Sequence, residues 1–127
     1  MKLRCKGNSI RLRVTRSELN RLQAGERVQE TIHFPPSPKV RLAYALEIGS
    51  HSQPVSVTFV DQQVIVSVSQ DQLASWSGEH QVGVYASLPV DETTALEVAI
   101  EKDFACLDLS DADNIDTFAN PLAGKAC

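Results

Sequence analysis

The feature that most constrains this chain is a pattern written twice. The stretch from Asn8 to Val28, NSIRLRVTRSELNRLQAGERV, recurs 54 positions later as QQVIVSVSQDQLASWSGEHQV. Ile10, Leu12 and Val14 fall on Val64, Val66 and Val68. Thr15 falls on Ser69, Glu18 on Gln72, Leu22 on Trp76 and Val28 on Val82. The match is in chemistry more than identity, and chemistry is what a fold reads. A repeat of this length predicts two like-built units whose apolar faces are buried against each other.

Each copy spells the same local structure. Ile10-Arg11-Leu12-Arg13-Val14 alternates apolar and polar residues, the period of a strand with one buried face. Thr15-Arg16-Ser17-Glu18 and Ser69-Gln70-Asp71-Gln72 then open helices, with a hydroxyl capping one end and a longer polar side chain reaching back. Leu19 and Leu22, like Leu73 and Trp76, sit at the i, i+3 spacing of a core-facing helix stripe. Gly25 and Gly78 are expected to end the two helices as left-handed caps.

The rest of the chain fills in around these units. Lys2–Lys6 reads as a first strand, and Gly7-Asn8 as a tight hairpin turn into Ile10–Val14. A helix over Arg16–Ala24 leads to a strand over Arg27–Phe34, whose alternation Glu30 interrupts. Pro35-Pro36-Ser37-Pro38 is a stiff loop. Val40, Leu42, Tyr44, Leu46 and Ile48 alternate through a fourth strand, and Gly49–Pro54 joins the halves. The second copy runs in step: a strand Val55–Val60, a turn Asp61-Gln62-Gln63, a strand Val64–Val68, a helix Gln70–Ser77 and a strand Gln81–Leu88. Pro89 matches Pro35, and a last strand carries Leu96, Val98 and Ile100.

Composition fits one domain of this kind. The 127 residues are 43% hydrophobic and 22% charged, as in ordinary globular proteins. No run approaches the roughly 18 apolar residues of a membrane helix. The opening Met1–Lys6 has charges at alternate positions and no apolar signal-peptide core, so a cytoplasmic location is expected. Cys5, Cys106 and Cys127 form no CxxC pair, which favours free thiols. The net charge of −4 hides an asymmetry. Residues 1–27 carry eight basic side chains against Glu18 and Glu26, a net +6, which leaves −10 for the remainder. Asp103, Asp108, Asp111, Asp113 and Asp116 concentrate acid in the last segment.

The expected organisation is a single domain over 1–102 made of two repeats, 1–48 and 55–102. An acidic C-terminal tail, 103–127, packs on it through Phe104, Leu107 and Phe118. Each repeat reads strand-strand-helix-strand-strand, so the fold class is mainly β with two short helices.

Lys6-Gly7-Asn8-Ser9-Ile10-Arg11-Leu12-Arg13-Val14, followed by a short helix and Gly25-Glu26-Arg27-Val28, resembles the AbrB/MazE-like swapped-hairpin family. That family reads roughly W-G-N-S-x-x-x-R-I-P and then G-D-x-V. The resemblance covers about residues 3–48, and the second repeat follows it in pattern only. It implies that two units exchange hairpins to close one barrel-like core, here as a dimer fused into one chain. It also implies binding to DNA or an antitoxin-like role. Thr15 and Ser69 stand where the family usually has proline, and Gly7-Asn8-Ser9 becomes Asp61-Gln62-Gln63 in the second copy. The whole chain also resembles a small bacterial family with no assigned function.

The basic hairpin is the strongest functional candidate. Residues of like parity in a strand share a face, so Lys2, Arg4 and Lys6 are expected beside Arg11 and Arg13, with Arg16 nearby and Asn8 at the tip. A two-stranded ribbon fits the DNA major groove, and clustered Lys and Arg supply affinity by counterion release. Against this stands a solvated, idle strand face, because the matching positions Ser56, Thr58, Val60, Ile65 and Ser67 are uncharged.

Metal and catalytic signals are weak. His33, His51 and His80 lack ligand spacing with the cysteines, although His33 has the option of approaching one in the fold. No phosphate-binding loop or dinucleotide fingerprint is present. Glu97 and Glu101 share the outer face of a strand without a specific signature, and Trp76 reads as packing. The expectation is therefore a non-enzymatic binding module with no metal and no cofactor. Its partner is DNA on the basic hairpin or, alternatively, a protein met through the acidic tail. The protein is expected to be a monomer (a pseudo-dimer) or a homodimer, away from membranes.

Overall fold

A computed structural model describes residues 1–104. Eight strands and two helices follow one another as β1 (Lys2–Lys6), β2 (Ser9–Val14), α1 (Arg16–Gln23), β3 (Val28–His33), β4 (Arg41–Gly49), β5 (Val55–Val60), β6 (Gln63–Ser69), α2 (Gln70–Trp76), β7 (Gly83–Pro89) and β8 (Ala95–Lys102). The order strand-strand-helix-strand-strand therefore occurs twice, as the alternation and the capping signals predict.

The strands form two four-stranded sheets, β1-β2-β8-β7 and β3-β4-β6-β5. Neither is closed into a barrel, which corrects the expected barrel-like core. Each sheet ends in two edge strands, β1 and β7 in one and β3 and β5 in the other. Closure would need those edges to pair, and they do not. Every sheet contains one hairpin from residues 2–49 and one from residues 55–102. At its centre two strands from the different halves run parallel, β2 beside β8 and β4 beside β6. The helices are the crossovers: α1 carries the chain from β2 to β3, and α2 carries it back from β6 to β7.

The registers of the two sheets are closely related. Ser9 faces Glu97 in one sheet and Gln63 faces Ala43 in the other, with Gln63 and Glu97 each 54 residues beyond Ser9 and Ala43. The outer hairpins agree too, since Lys2 faces Arg13 and Ser56 faces Ser67. One strand departs. Val28 faces Leu46, but the residue facing Ile100 is Val84 and not Val82. Burial follows register: Val28 is 1% exposed, Val84 5% and Val82 49%. The counterpart of Val28 is thus Val84, and Pro89, which faces Ala95, corresponds in register to His33 and not to Pro35.

The helix exits explain the slip. Helix α1 ends tightly: Gly25, at φ +87°, donates its N–H to Leu22 C=O while Glu26 N–H reaches Arg21 C=O. These two bonds are the Schellman pattern, which glycine favours because it has no Cβ to clash in the left-handed conformation. Helix α2 ends on Ser77 in a right-handed conformation, and Gly78 does not take the left-handed cap expected of it. The segment from α2 to β7 consequently takes two more residues than that from α1 to β3, and the β7–β8 loop is shorter by two.

The helix starts also differ in degree. Thr15 accepts from Glu18 N–H while Glu18 accepts from Thr15 N–H, a complete capping box. Ser69 accepts from Gln72 N–H without the reciprocal bond. Glu18 further holds the Met1 ammonium, with Glu30 at 3.4 Å on its other side. Partial burial acts to raise the Glu18 pKa, but hydrogen bonds from the Met1 ammonium and Thr15 prevail and hold it below the usual carboxylate range.

Both sheets and both helices contribute to one core. It joins Leu12, Val14, Val98 and Ile100 from the first sheet to Leu46, Val55, Val66 and Val68 from the second, with Leu19, Leu22, Leu73 and Trp76 from the helices. Trp76 is 1% exposed, and its indole N–H donates to Val82 C=O at 3.3 Å, which satisfies the one polar group it buries. Its reading as packing holds. No described helix is long and apolar enough to cross a membrane. The tail beyond Phe104, with Cys106, Cys127 and most of its acidic residues, lies outside the described residues.

Candidate functional site

The strand registers decide which side chains share a surface. In the first sheet Lys2 faces Arg13, Arg4 faces Arg11 and Lys6 faces Ser9. Across the parallel junction, Ser9, Arg11 and Arg13 face Glu97, Ala99 and Glu101, which in turn face Ser87, Tyr85 and Gly83. Paired residues point to the same side of a sheet, so the outer face has three rows. They read Lys6-Ser9-Glu97-Ser87, Arg4-Arg11-Ala99-Tyr85 and Lys2-Arg13-Glu101-Gly83. The face is basic over β1 and β2, acidic over β8, and hydroxyl-bearing over β7.

A groove of about 590 Å³ lies on this face, lined by Arg4, Lys6, Ser9, Ile10, Arg11, Tyr85, Ala86, Ser87, Glu97, Val98 and Ala99. Of the sequence candidates it gathers Arg4, Lys6 and Arg11. Lys2 and Arg13 stand on the same face but outside its lining, and Arg16 opens α1 beyond the end of β2. Asn8 is committed to the fold: its side-chain N–H donates to Ala95 C=O at 2.8 Å, and its own carbonyl accepts from Glu97 N–H at 3.1 Å. It ties the hairpin tip to β8. Ser9 likewise donates its hydroxyl to Lys6 C=O at 2.6 Å.

The acidic row organises its neighbours. Arg11 Nε lies 3.1 Å from Glu101 Oε1, and Tyr85 donates its hydroxyl to Glu101 Oε2 at 2.7 Å. Ser87 donates to Glu97 Oε1 at 2.8 Å. The Tyr85 pKa is raised first by that hydrogen bond to Glu101, then by partial burial and by the Glu101 charge, with Arg11 opposing. Lys2 pairs with Asp103 at 3.3 Å, an exposed contact worth at most about 1 kcal/mol. Among the described residues Arg4, Lys6, Arg13 and Arg16 make no ion pair.

The matching rows of the second sheet have no such charge; Arg41 stands beyond them, at the start of β4. Ser56, Thr58 and Val60 of β5 and Gln63, Ile65 and Ser67 of β6 occupy the matching rows, next to Ala43, Ala45 and Glu47 of β4. Parity alone places the basic residues. Tyr85, Ser87 and the acidic row reach the site only through the β2–β8 pairing, which joins residues 88 apart in sequence. The available signal was the alternation of Glu97 and Glu101 with the apolar residues of β8.

Other chemistry is sparse. His33 Nδ1 meets Pro38 C=O at 2.8 Å, a contact inside its own loop. His51 Nδ1 meets Gln53 C=O at 2.6 Å, with its ring against Gly49, where a Cβ would clash with it. No group of three or more His, Cys, Asp or Glu able to hold a metal occurs among the described residues. Cys5 is a free, exposed thiol.

No curated protein and no solved structure matches the chain. A family does: its pattern covers residues 1–122, which takes in both sheets, both helices and the groove. The chain belongs to the DUF7009 family, a family of unknown function.

Proposed function

We propose that the chain is a non-enzymatic binding module that takes an anionic partner on the outer face of β1 and β2, with the DNA backbone the first such partner to consider. Lys2, Arg4, Lys6, Arg11, Arg13 and Arg16 supply the charge, and Asn8 and Ser9 shape the tip. One observation carries the reading: four of these cations make no ion pair among the described residues and three of them share one sheet face. The shared 54-residue register of the two sheets supports reading the scaffold as an internally duplicated swapped-hairpin unit of the AbrB-like kind.

The test is fluorescence anisotropy with labelled duplex DNA over a salt series. Binding should weaken linearly in log–log form as salt rises. Replacing Arg11 and Arg13 by Ala should weaken it and flatten the slope by about 2, since each phosphate left without its cation removes about one unit. No binding at low salt, or binding indifferent to both substitutions, rules the DNA reading out.

A second reading, a protein-interaction or regulatory domain, is favoured by the acidic row itself. Glu97 and Glu101 lie beside the arginines, so the face is bipolar. A uniform polyanion meets repulsion there, whereas a protein segment of mixed charge does not. Binding to DNA that is absent while a protein partner is captured through Arg4 and Glu97 together would favour this reading.

A further inference from the structure

The four edge strands are not equally protected. Natural sheets blunt their edges with charge, proline or irregularity, because a bare row of N–H and C=O groups recruits another strand. Edge β1 carries Lys2, Arg4 and Lys6. Edge β3 carries Glu30 and His33. Edge β7 is bounded by Gly83 and Pro89. Edge β5, Val-Ser-Val-Thr-Phe-Val, has no charge, no proline and no glycine.

The free side of β5 can be assigned residue by residue. Ser69 N–H donates to Pro54 C=O at 3.0 Å, so Pro54 and Ser69 form a hydrogen-bonded pair. Antiparallel ladders alternate bonded and non-bonded pairs. Ser56, Thr58 and Val60 therefore bond inward to β6, and the N–H and C=O groups of Val57 and Phe59 point away from it. Among the described residues no strand pairs with that side. Phe59 is 69% exposed although its parity is that of the core residues Val55 and Val57, and Val60 is 52% exposed. An aromatic ring on the core side of a bare edge is the half of a contact that a further strand would complete.

We infer that two copies of the chain join by antiparallel pairing of β5 with β5, with Thr58 on the twofold axis. This register sets Val57 opposite Phe59 as a hydrogen-bonded pair, Thr58 opposite Thr58, and Ser56 opposite Val60. Aromatic with β-branched residues and Thr with Thr are favourable cross-strand neighbours. A twofold interface brings each residue against its own strand's copy, so only a strand without charge pairs with itself at no electrostatic cost. The same operation on β1 would set Lys2, Arg4 and Lys6 against one another. The result is a continuous eight-stranded sheet, β3-β4-β6-β5 and its mate, which leaves both basic faces open and related by a twofold axis. The inference is independent of what those faces bind.

Sedimentation equilibrium of the full chain over a wide concentration range tests it. The mass should rise from one chain to two and stop there. Thr58→Lys, which brings two ammonium groups face to face on the axis, should stay monomeric at every concentration. Val57→Pro should do the same, since it removes an N–H that only the second copy would use. Both should keep the wild-type circular dichroism, and if the proline variant does not fold, the lysine variant decides. Arg4→Ser, on the other edge, should dimerise like wild type. A wild-type chain that is monomeric throughout, that assembles beyond two, or that dimerises unchanged with Thr58→Lys overturns the inference. Anisotropy with the monomeric variant then reads the basic face separately.

Discussion

At the tip of β1–β2 the chain turns through Gly7 and Asn8, with φ +55° at the glycine. At the tip of β5–β6 it turns through Asp61 and Gln62, with φ +51° and +63°. The first is the two-residue turn that needs one left-handed position, the second the turn that needs two. The hairpins occupy matching places, since Leu3 faces Leu12 and Val57 faces Val66 on the core side. They differ on the other side, where five cations stand over one and none over the other. The core side must serve the fold in both halves. The outer side is released from that duty, and only the first hairpin carries charge there. This contrast teaches where to look for function: at the positions where equal geometry carries unequal chemistry.

The comparison can be broken or sharpened at several strengths. The largest effects belong to the shared core. Leu22 and Trp76 are both essentially buried, each from its own helix in the core that the two sheets share. Trp76→Ala should cost about 3–5 kcal/mol and Leu22→Ala about 2–5 kcal/mol in urea unfolding. A large loss at one and little at the other would mean that the helices do not play like roles.

The caps come next. Thr15→Ala removes a reciprocal box and should cost about 1–2 kcal/mol; Ser69→Ala, which removes a one-way bond, should cost about 0.5–1 kcal/mol. The first cap also depends on pH. The folded-state pKa of Glu18 is depressed, so its contribution is present above the ordinary carboxylate range and is lost as pH falls through the folded value. The gap between the two cap variants should therefore narrow in acid, which chemical unfolding at several pH values would record.

The smallest effects are at the tips, and there the signs oppose. Gly7→Ala puts a Cβ into open space, but at a left-handed φ, and should destabilise by about 1 kcal/mol. Gln62→Gly relieves a left-handed non-glycine residue and should stabilise by about 0.5–1 kcal/mol. Thermal unfolding of the two variants reads both signs.

Much of this architecture is legible in the chain itself. Strands with one buried face declare themselves by alternation, as in Ile10-Arg11-Leu12-Arg13-Val14, and both helix starts by their capping residues. Those signals are local, and local physics enforces them. The slip at β7 is not legible, because Val82 and Val84 are the same residue type two apart, so they share a parity and the alternation fits either. Only the wider exit of α2 and the buried place of Val84 against Ile100 distinguish them. Gly78 misleads for a related reason: glycine permits a left-handed cap without requiring one. The site is half legible. Parity places Arg4 beside Arg11, but no local rule places Glu97 beside Ser9, since that contact is made by strands from opposite ends of the chain.

One substitution set tests directly whether function resides in the difference between the hairpins. Lys2→Ser, Arg4→Thr, Lys6→Val, Arg11→Ile and Arg13→Ser replace each cation on the outer face of the first hairpin by the residue at the matching position of the second, in the registers of both sheets. Salt-dependent anisotropy on duplex DNA, with circular dichroism alongside, should find a folded protein that has lost the binding of wild type. A folded variant that binds as wild type does, with the same salt slope, would contradict the assignment of function to that face.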